Sequence, residues 1–387
     1  MLQKRAVFAC VMTLSLLVLF PLEGNCADEL KIIAGPYLQY PTETTITVGW
    51  ETNQPASSEA GQGRTADALA WISGKDGETF HSVVFENLEP GGNYFYQVRS
   101  RNGEGIQAES AIYTFQTAVS ADAPFSFVVL SDTQSNPANV AKQAELCWSQ
   151  RPHFTLLTGD LVSRGTEKEL WNHHFFRNMH ALISRVPLIP CLGNHDDDAP
   201  AYYNYFTLPE PEYYYKFTYG NLDLFIVDSQ RPLTRESEQY TWLDGALSAS
   251  TAVWKIVALH QAAYSSDEDD YGDTTLTRSM RGDIKLRSVT TLYEKYHVDI
   301  VWCGHIHSYE RTYPMAQGKP VLEGGVIYMI TGGGGGGLEK TGPWRSPFTA
   351  KLYSGHHYCL VNVFGPSMRI EAYTPEGMLF DFLELHK

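Results

Sequence analysis

The sequence predicts an α/β protein preceded by an all-β domain, and three observations carry that reading. The chain has 387 residues, more than one hydrophobic core usually serves. Between residues 30 and 118, short alternating apolar runs are separated by turn formers. From residue 120 onward the runs become continuously apolar and are interleaved with helical patterns. An apolar content of 43%, with 13% aromatic, supplies both cores and excludes a disordered chain. The expected organisation is a leader over 1–27, a β-rich domain over 28–119 and an α/β domain over 120–387.

The leader reads "MLQKRAVFACVMTLSLLVLFPLEGNCADEL": Lys4 and Arg5, an apolar stretch from Ala6 to Phe20, then small residues around Gly24 to Ala27. That is a secretory signal pattern, too short for a comfortable membrane span, and it predicts a secreted or periplasmic protein. Cys26 raises lipid attachment, but Glu23-Gly24-Asn25 is a poor context for it. Cleavage near Ala27 leaves Cys147, Cys191, Cys303 and Cys359, all in apolar surroundings that read as buried small hydrophobes rather than a disulfide scaffold.

In the β-rich domain, "TTITVGWET" alternates around Trp50, followed by "FHSVVFENL", "NYFYQVRS" and "AIYTFQTA". In "LEPGGNYFYQV", Tyr94 opens a strand straight after a Pro-Gly corner, where its hydroxyl can reach back to the backbone. This domain resembles a fibronectin type III module. It holds no cluster of ligands or nucleophiles, so it reads as a structural appendage.

In the α/β domain the runs "FSFVVL", "FTLLTG", "LIPCLG", "LDLFIVD", "WKIVALH", "VDIVWCG" and "VIYMITG" read as buried strands. Helical patterns lie at 137–150, 166–184, 236–248 and 281–296. Ligands of open α/β sheets gather beyond the carboxyl ends of strands. There the sequence sets "SDTQ" with Asp132, "GDLV" with Asp160, "GNHD" with Asn194-His195-Asp196, "ALHQ" with His260 and "GHIH" with His305 and His307. One strand-ending Asp is ordinarily a cap or turn residue. Five such motifs in succession, mixing hard oxygen with imidazole, suit divalent zinc, manganese or iron, and supply more donors than one tetrahedral ion takes.

The order D…GD…GNH[D/E]…H…GHxH resembles that of the calcineurin-like metallophosphoesterases. "GHIHSYERTYP", with the module opening "GPYLQYPTETTITVGWET", resembles the purple acid phosphatase group in particular. The resemblance implies a four-layer α/β/β/α sandwich with a dinuclear centre of two divalent ions (Fe, Zn or Mn) at the strand ends. It implies that Asp160 bridges the ions, with Asp132 and His307 on one side and Asn194, His260 and His305 on the other. His195 would face the substrate as a proton or hydrogen-bond donor, oriented by Asp196. The implied reaction is hydrolysis of a small phosphate monoester by a metal-activated hydroxide. A phosphodiesterase acting on nucleotides or lipid headgroups, and a non-catalytic binding protein on the same scaffold, are the alternatives.

The sequence departs from the group in three places. Ser163 stands where the purple enzymes carry a tyrosine ligand, so a coloured ferric tyrosinate is not expected. Gln134 replaces the usual Gly two residues after the first Asp, and either donates a carbonyl oxygen to a metal or closes a turn. The substrate-facing His after the His260 strand has no counterpart; Tyr271 stands where bacterial relatives read His before Gly272. The segment from Tyr264 to Met280, with acidic residues Asp267 to Asp270, is expected to border the site and set substrate choice.

A formal charge of −15 excludes a broad basic surface for nucleic acid or anionic membrane. It leaves room for a phosphorylated substrate, because bound cations supply local positive charge. The run Thr331 to Gly337, "TGGGGGG", lacks the Lys-Ser/Thr of a phosphate loop and is expected to let backbone pass close to the metal rim. The His pairs at 173–174 and 356–357 read as a helix face and a strand entry.

Overall fold

The computed structural model describes residues 29–266, 282–339 and 345–387. The predicted leader, Asp267 to Asp270 and Tyr271 lie outside these residues.

Two large sheets organise the chain. In the α/β part of the first, the parallel strands Phe125–Leu130, Phe154–Leu157 and Leu188–Pro190 lie side by side. Three antiparallel C-terminal strands, Tyr358–Phe364, Ser367–Tyr373 and Leu379–His386, extend it on one side. In the second sheet, Leu222–Ile226, Trp254–Ala258, Ile300–Cys303 and Ile327–Thr331 run parallel, flanked by antiparallel neighbours. The continuous apolar runs have a simple cause: both faces of these strands are covered.

Alternation along each strand sorts side chains into layers. Leu224, Ile226, Ile256, Ile300, Trp302 and Met329 pack between the sheets. Phe225, Val257, Val301, Tyr328 and Ile330 face the other way, against Leu243, Leu247, Leu292 and Tyr293. The last four come from helices Glu238–Ala249 and Thr290–Lys295. Helix Pro137–Ser149 and the helical run 168–183 cover the outer face of the first sheet. The result is an α/β/β/α sandwich.

Local signals set the helix ends. Asn136 caps the first helix by accepting the Asn139 N–H, and Ser237 caps another through Tyr240. The fourth predicted helix starts late, as a tight turn from Ile284 whose cap is Asp283, and becomes α-helical at Thr290. The run 168–183 contains a π-helical turn, Trp171–Phe176, that holds His173 and His174.

The N-terminal module is a β-sandwich around Trp50, Val48, Phe85, Tyr96, Val98 and Phe115. The Tyr94 hydroxyl accepts the Glu89 N–H at 2.9 Å, closing the corner read from the sequence. One of its two sheets is continuous with the first large sheet, since Gln39 pairs in parallel with Leu188. Sheet pairing thus crosses from the module into the α/β part. The four described cysteines are free and buried, and no described helix is long and apolar enough to cross a membrane.

Candidate metal centre

The strand ends of the two large sheets converge on one cleft. Phe125–Leu130 leads to Asp132 and Gln134, Phe154–Leu157 to Asp160, and Leu188–Pro190 to Asn194. From the other sheet, Trp254–Ala258 leads to His260, and Ile300–Cys303 to His305 and His307. Asp132, Asp160 and His305 sit at φ 55°, 54° and 68°, a backbone region that non-glycine residues seldom adopt. Each turn sends its side chain inward instead of along the strand.

Donor atoms of Asp160, His260 and His305 lie within 4.8 Å of one another. Asn194 Oδ1 joins them, 3.1 Å from His260 Nε2 and 2.8 Å from His305 Nδ1. A second group forms beside it: His307 Nε2 is 3.4 Å from Asp132 Oδ1, and Gln134 reaches between His307 and Asp160. The Gln134 amide satisfies its NH₂ on the main-chain carbonyls of Asp132 (3.2 Å) and Asp160 (2.8 Å). That orientation turns its oxygen into the site beside His307 Nε2, so the side chain lies where a ligand would.

Backbone carbonyls choose which imidazole nitrogen faces the cleft. Thr158 O accepts from His260 Nδ1 at 2.8 Å and Gly337 O from His307 Nδ1 at 2.6 Å. A carbonyl only accepts, so in both rings Nδ1 carries the hydrogen and Nε2 is left to bind. The same logic applies to His195, whose Nδ1 meets Ser163 O at 2.9 Å. Its exposed ring presents Nε2 outward.

Asp196 corrects the expectation from sequence. It does not orient His195. Its fully buried carboxylate accepts the main-chain N–H groups of Asp160 (3.0 Å), Leu161 (2.9 Å) and Gly193 (2.9 Å). Asn194–Asp196 is one 3₁₀ turn, which points successive side chains about 120° apart. His195 therefore faces out while Asp196 faces back and pins the Asp160 loop.

Charge in the cleft is mutually adjusted. Burial would lower His260, but the adjacent Asp160 carboxylate outweighs it and holds the imidazole up at about 10. Burial likewise opposes protonation of His307, and Asp132 reverses that, raising it to about 9. His305 is pushed down to about 3 by burial and then by His260. Burial and the neighbouring Asp160 raise Asp196. Buried carboxylates that hold imidazoles protonated are compensating negative charge at close range. Divalent cations on the same oxygen and nitrogen donors do this better, so the donor set fits metal ions.

Some contributors escaped the sequence reading. The orienting carbonyls of Thr158 and Gly337 carry no side-chain signature. Glu339 Oε1, 4.0 Å from His307 Nδ1, stands two residues after the glycine run. His174 Nδ1 accepts the Ser163 N–H at 3.3 Å from within the π-helical turn.

Comparison with known proteins agrees with this architecture. The sequence model "Calcineurin-like phosphoesterase" matches residues 125–309, and "Purple acid Phosphatase, N-terminal domain" matches residues 34–117. The chain belongs to the calcineurin-like phosphoesterases, in their purple acid phosphatase-like branch with its own N-terminal domain. It is 26% identical over 294 residues to purple acid phosphatase 21 of Arabidopsis thaliana, covering 71% of this chain and 62% of that protein. To the phosphoenolpyruvate phosphatase of Allium cepa it is 22% identical over 337 residues, covering 80% and 64%. The chain thus spans a little under two thirds of the length of these relatives. Its fold is also that of purple acid phosphatase PPD1 from yellow lupin (Lupinus luteus) seeds, with TM-score 0.81, 19% identity and 91% and 74% of the two chains covered.

Proposed function

We propose that this protein is an exported phosphomonoesterase that works with two divalent metal ions. The observation that carries the proposal is the convergence of Asp132, Asp160, Asn194, His260, His305 and His307 from five strand ends on one cleft. Asp160 stands between the two groups and is the residue to serve both ions. Asp132, Gln134 and His307 would hold one ion; Asn194, His260 and His305 the other. Bound there, such ions supply Lewis acidity toward phosphoryl oxygens and acidify a water. The protein itself binds the charged phosphate in a cleft walled by buried side chains, where attraction is little screened. His195 reaches out with Nε2 free, and a proton carried there goes to the departing oxygen. The apolar-then-small pattern of residues 1–27 supports export.

The test is His195→Ala, assayed for metal content and for turnover of p-nitrophenyl phosphate against its bis-ester. Full metal retention with a rate loss of about 10²–10³-fold is expected. Loss of metal would make His195 a ligand and overturn its assigned role; faster turnover of the diester would overturn the monoesterase assignment. Because Ser163 offers no phenolate, the metal-loaded protein should be colourless. A strong visible charge-transfer band would refute the divalent pair.

A further inference from the structure

The glycine run Gly332–Gly337 lies directly against the Asp132 and His307 side of the cleft. We infer that its backbone positions that half of the centre alone, so that one of two bound ions depends on it. This rests on the two-ion reading above.

Three contacts make the case. The N–H groups of Gly335 and Gly336 donate to the main-chain carbonyl of Asp132, at 2.7 and 2.8 Å, and Gly334 N–H donates to Ser131 O at 3.0 Å. These bonds fix the Asp132 peptide, whose φ of 55° needs outside support. The Gly337 carbonyl takes the Nδ1 hydrogen of His307 and so sets its Nε2 toward Asp132. Finally, the backbone of Gly336 lies flat against the same ring: a Cβ there would come within 2.4 Å of His307 Cε1. The ring, held at Nδ1, would have to leave its place.

The run is itself braced from behind. Gln143 Nε2 and Asn139 Nδ2 both donate to Gly334 O at 2.6 Å, and Gln143 is fully buried. His357 N–H donates to Gly333 O at 3.1 Å. Among the described residues, the hydrogen bonds of the run go to the Asp132 and His307 side and not to Asn194, His260 or His305. His260 Nδ1 is held instead by Thr158 O at 2.8 Å, and His305 N–H donates to Asp132 Oδ2 at 3.0 Å. Gly337 differs from Gly336: a Cβ at Gly337 meets nothing within 4 Å, and only its carbonyl is used.

The full-length protein is stripped, reloaded with manganese(II) alone, desalted and counted for bound metal, with calorimetric titration of each class of site. Wild type and Gly337→Ala should hold two ions. Gly336→Ala should hold one, matching His307→Ala, and the retained ion reports that the fold is intact. Gln143→Leu, which loosens the brace without a clash, should weaken one ion by about 10–100-fold and leave the other within twofold. Gly336→Ala or Gln143→Leu with two wild-type affinities overturns the inference. So does weakening of both ions together. Wild type with a single ion overturns the two-ion reading beneath it, an outcome visible before any variant is made.

Discussion

The nine-stranded and seven-stranded sheets furnish different chemistry to the same cleft. The first supplies oxygen donors, from Asp132, Gln134, Asp160 and Asn194; the second supplies imidazoles, from His260, His305 and His307. Their supports differ as well. On the oxygen side, main-chain N–H groups gather on the Asp196 carboxylate and on Asp160 Oδ1, which takes the His195 N–H at 2.8 Å. On the imidazole side, carbonyls orient the rings, and one of them, Thr158 O, belongs to the opposite sheet. His305 N–H in turn donates to Asp132 at 3.0 Å. Neither sheet carries a complete site, and cations are what both donor sets have in common.

The sharpest way to break this symmetry is Asp160→Asn. Asp160 touches the imidazole side through His260 Nε2 at 3.2 Å and the oxygen side through its own loop. The amide cannot bridge two cations as an anion does. Both ions should be lost in metal analysis and phosphatase turnover should fall below detection. Retention of one tightly bound ion would mean that Asp160 serves only one of the two, contrary to the bridging role proposed for it.

Metal removal tests the same coupling through stability. With candidate donors drawn from both sheets, ions bound there would stabilise their packing against each other, and a ligand present at about 1,000 times its Kd adds about 4 kcal/mol. Chelation should lower the melting temperature on the order of 5–10 °C, read by scanning calorimetry with and without added manganese. An unchanged melt would show that sheet packing alone fixes the cleft.

How far the sequence disclosed this can be judged from particular residues. The strand-end motifs were legible because each is local: an apolar run followed by Asp, Asn or His is visible without knowing what lies opposite. The role of Asp196 was not legible. Whether its carboxylate faces the cleft or the chain behind depends on a single 3₁₀ turn, which sequence spacing does not encode. The pairing of Gln39 with Leu188 was hidden for another reason, since strand partners distant in sequence leave no periodic trace. The module read as an appendage shares a sheet with the strand that leads to Asn194.

A buried histidine where the two sheets meet gives a pH test. His357 Nδ1 donates to Gly355 O at 2.8 Å, and its Nε2 accepts from Thr331 Oγ1 at 3.1 Å, so the neutral ring is satisfied. Burial pushes it down to about 4, with the neighbouring His356 adding to the effect; Tyr309, Tyr353 and Phe380 surround it with ring edges. Unfolded, it titrates near 6.5, so the unfolded chain binds the extra proton first. Its contribution is complete above pH 6.5 and is lost as pH falls toward 4, about 3 kcal/mol in all. In urea titrations from pH 7.5 to 4.5, His357→Gln should begin less stable and then lose less on acidification. Parallel curves would remove His357 as a cause.

The smallest effect is expected outside the cleft, where the N-terminal module meets the α/β part. Glu51 is almost fully buried; it accepts the Tyr205 hydroxyl at 2.6 Å and lies 2.6 Å from the Lys168 ammonium. Tyr205 ends the short helix Pro200–Tyr205 that follows the Asn194 turn, and Lys168 begins the helical run containing His174. Glu51→Gln keeps an acceptor for the tyrosine and removes only the ion pair. Lys168 is half exposed, so water recovers much of its solvation. The loss should be about 1–2 kcal/mol by urea unfolding, with both metal affinities unchanged. If instead the ion on the Asn194 side weakens while the other does not, the module reaches the centre through Tyr205. The division of labour would then run along three bodies instead of two sheets.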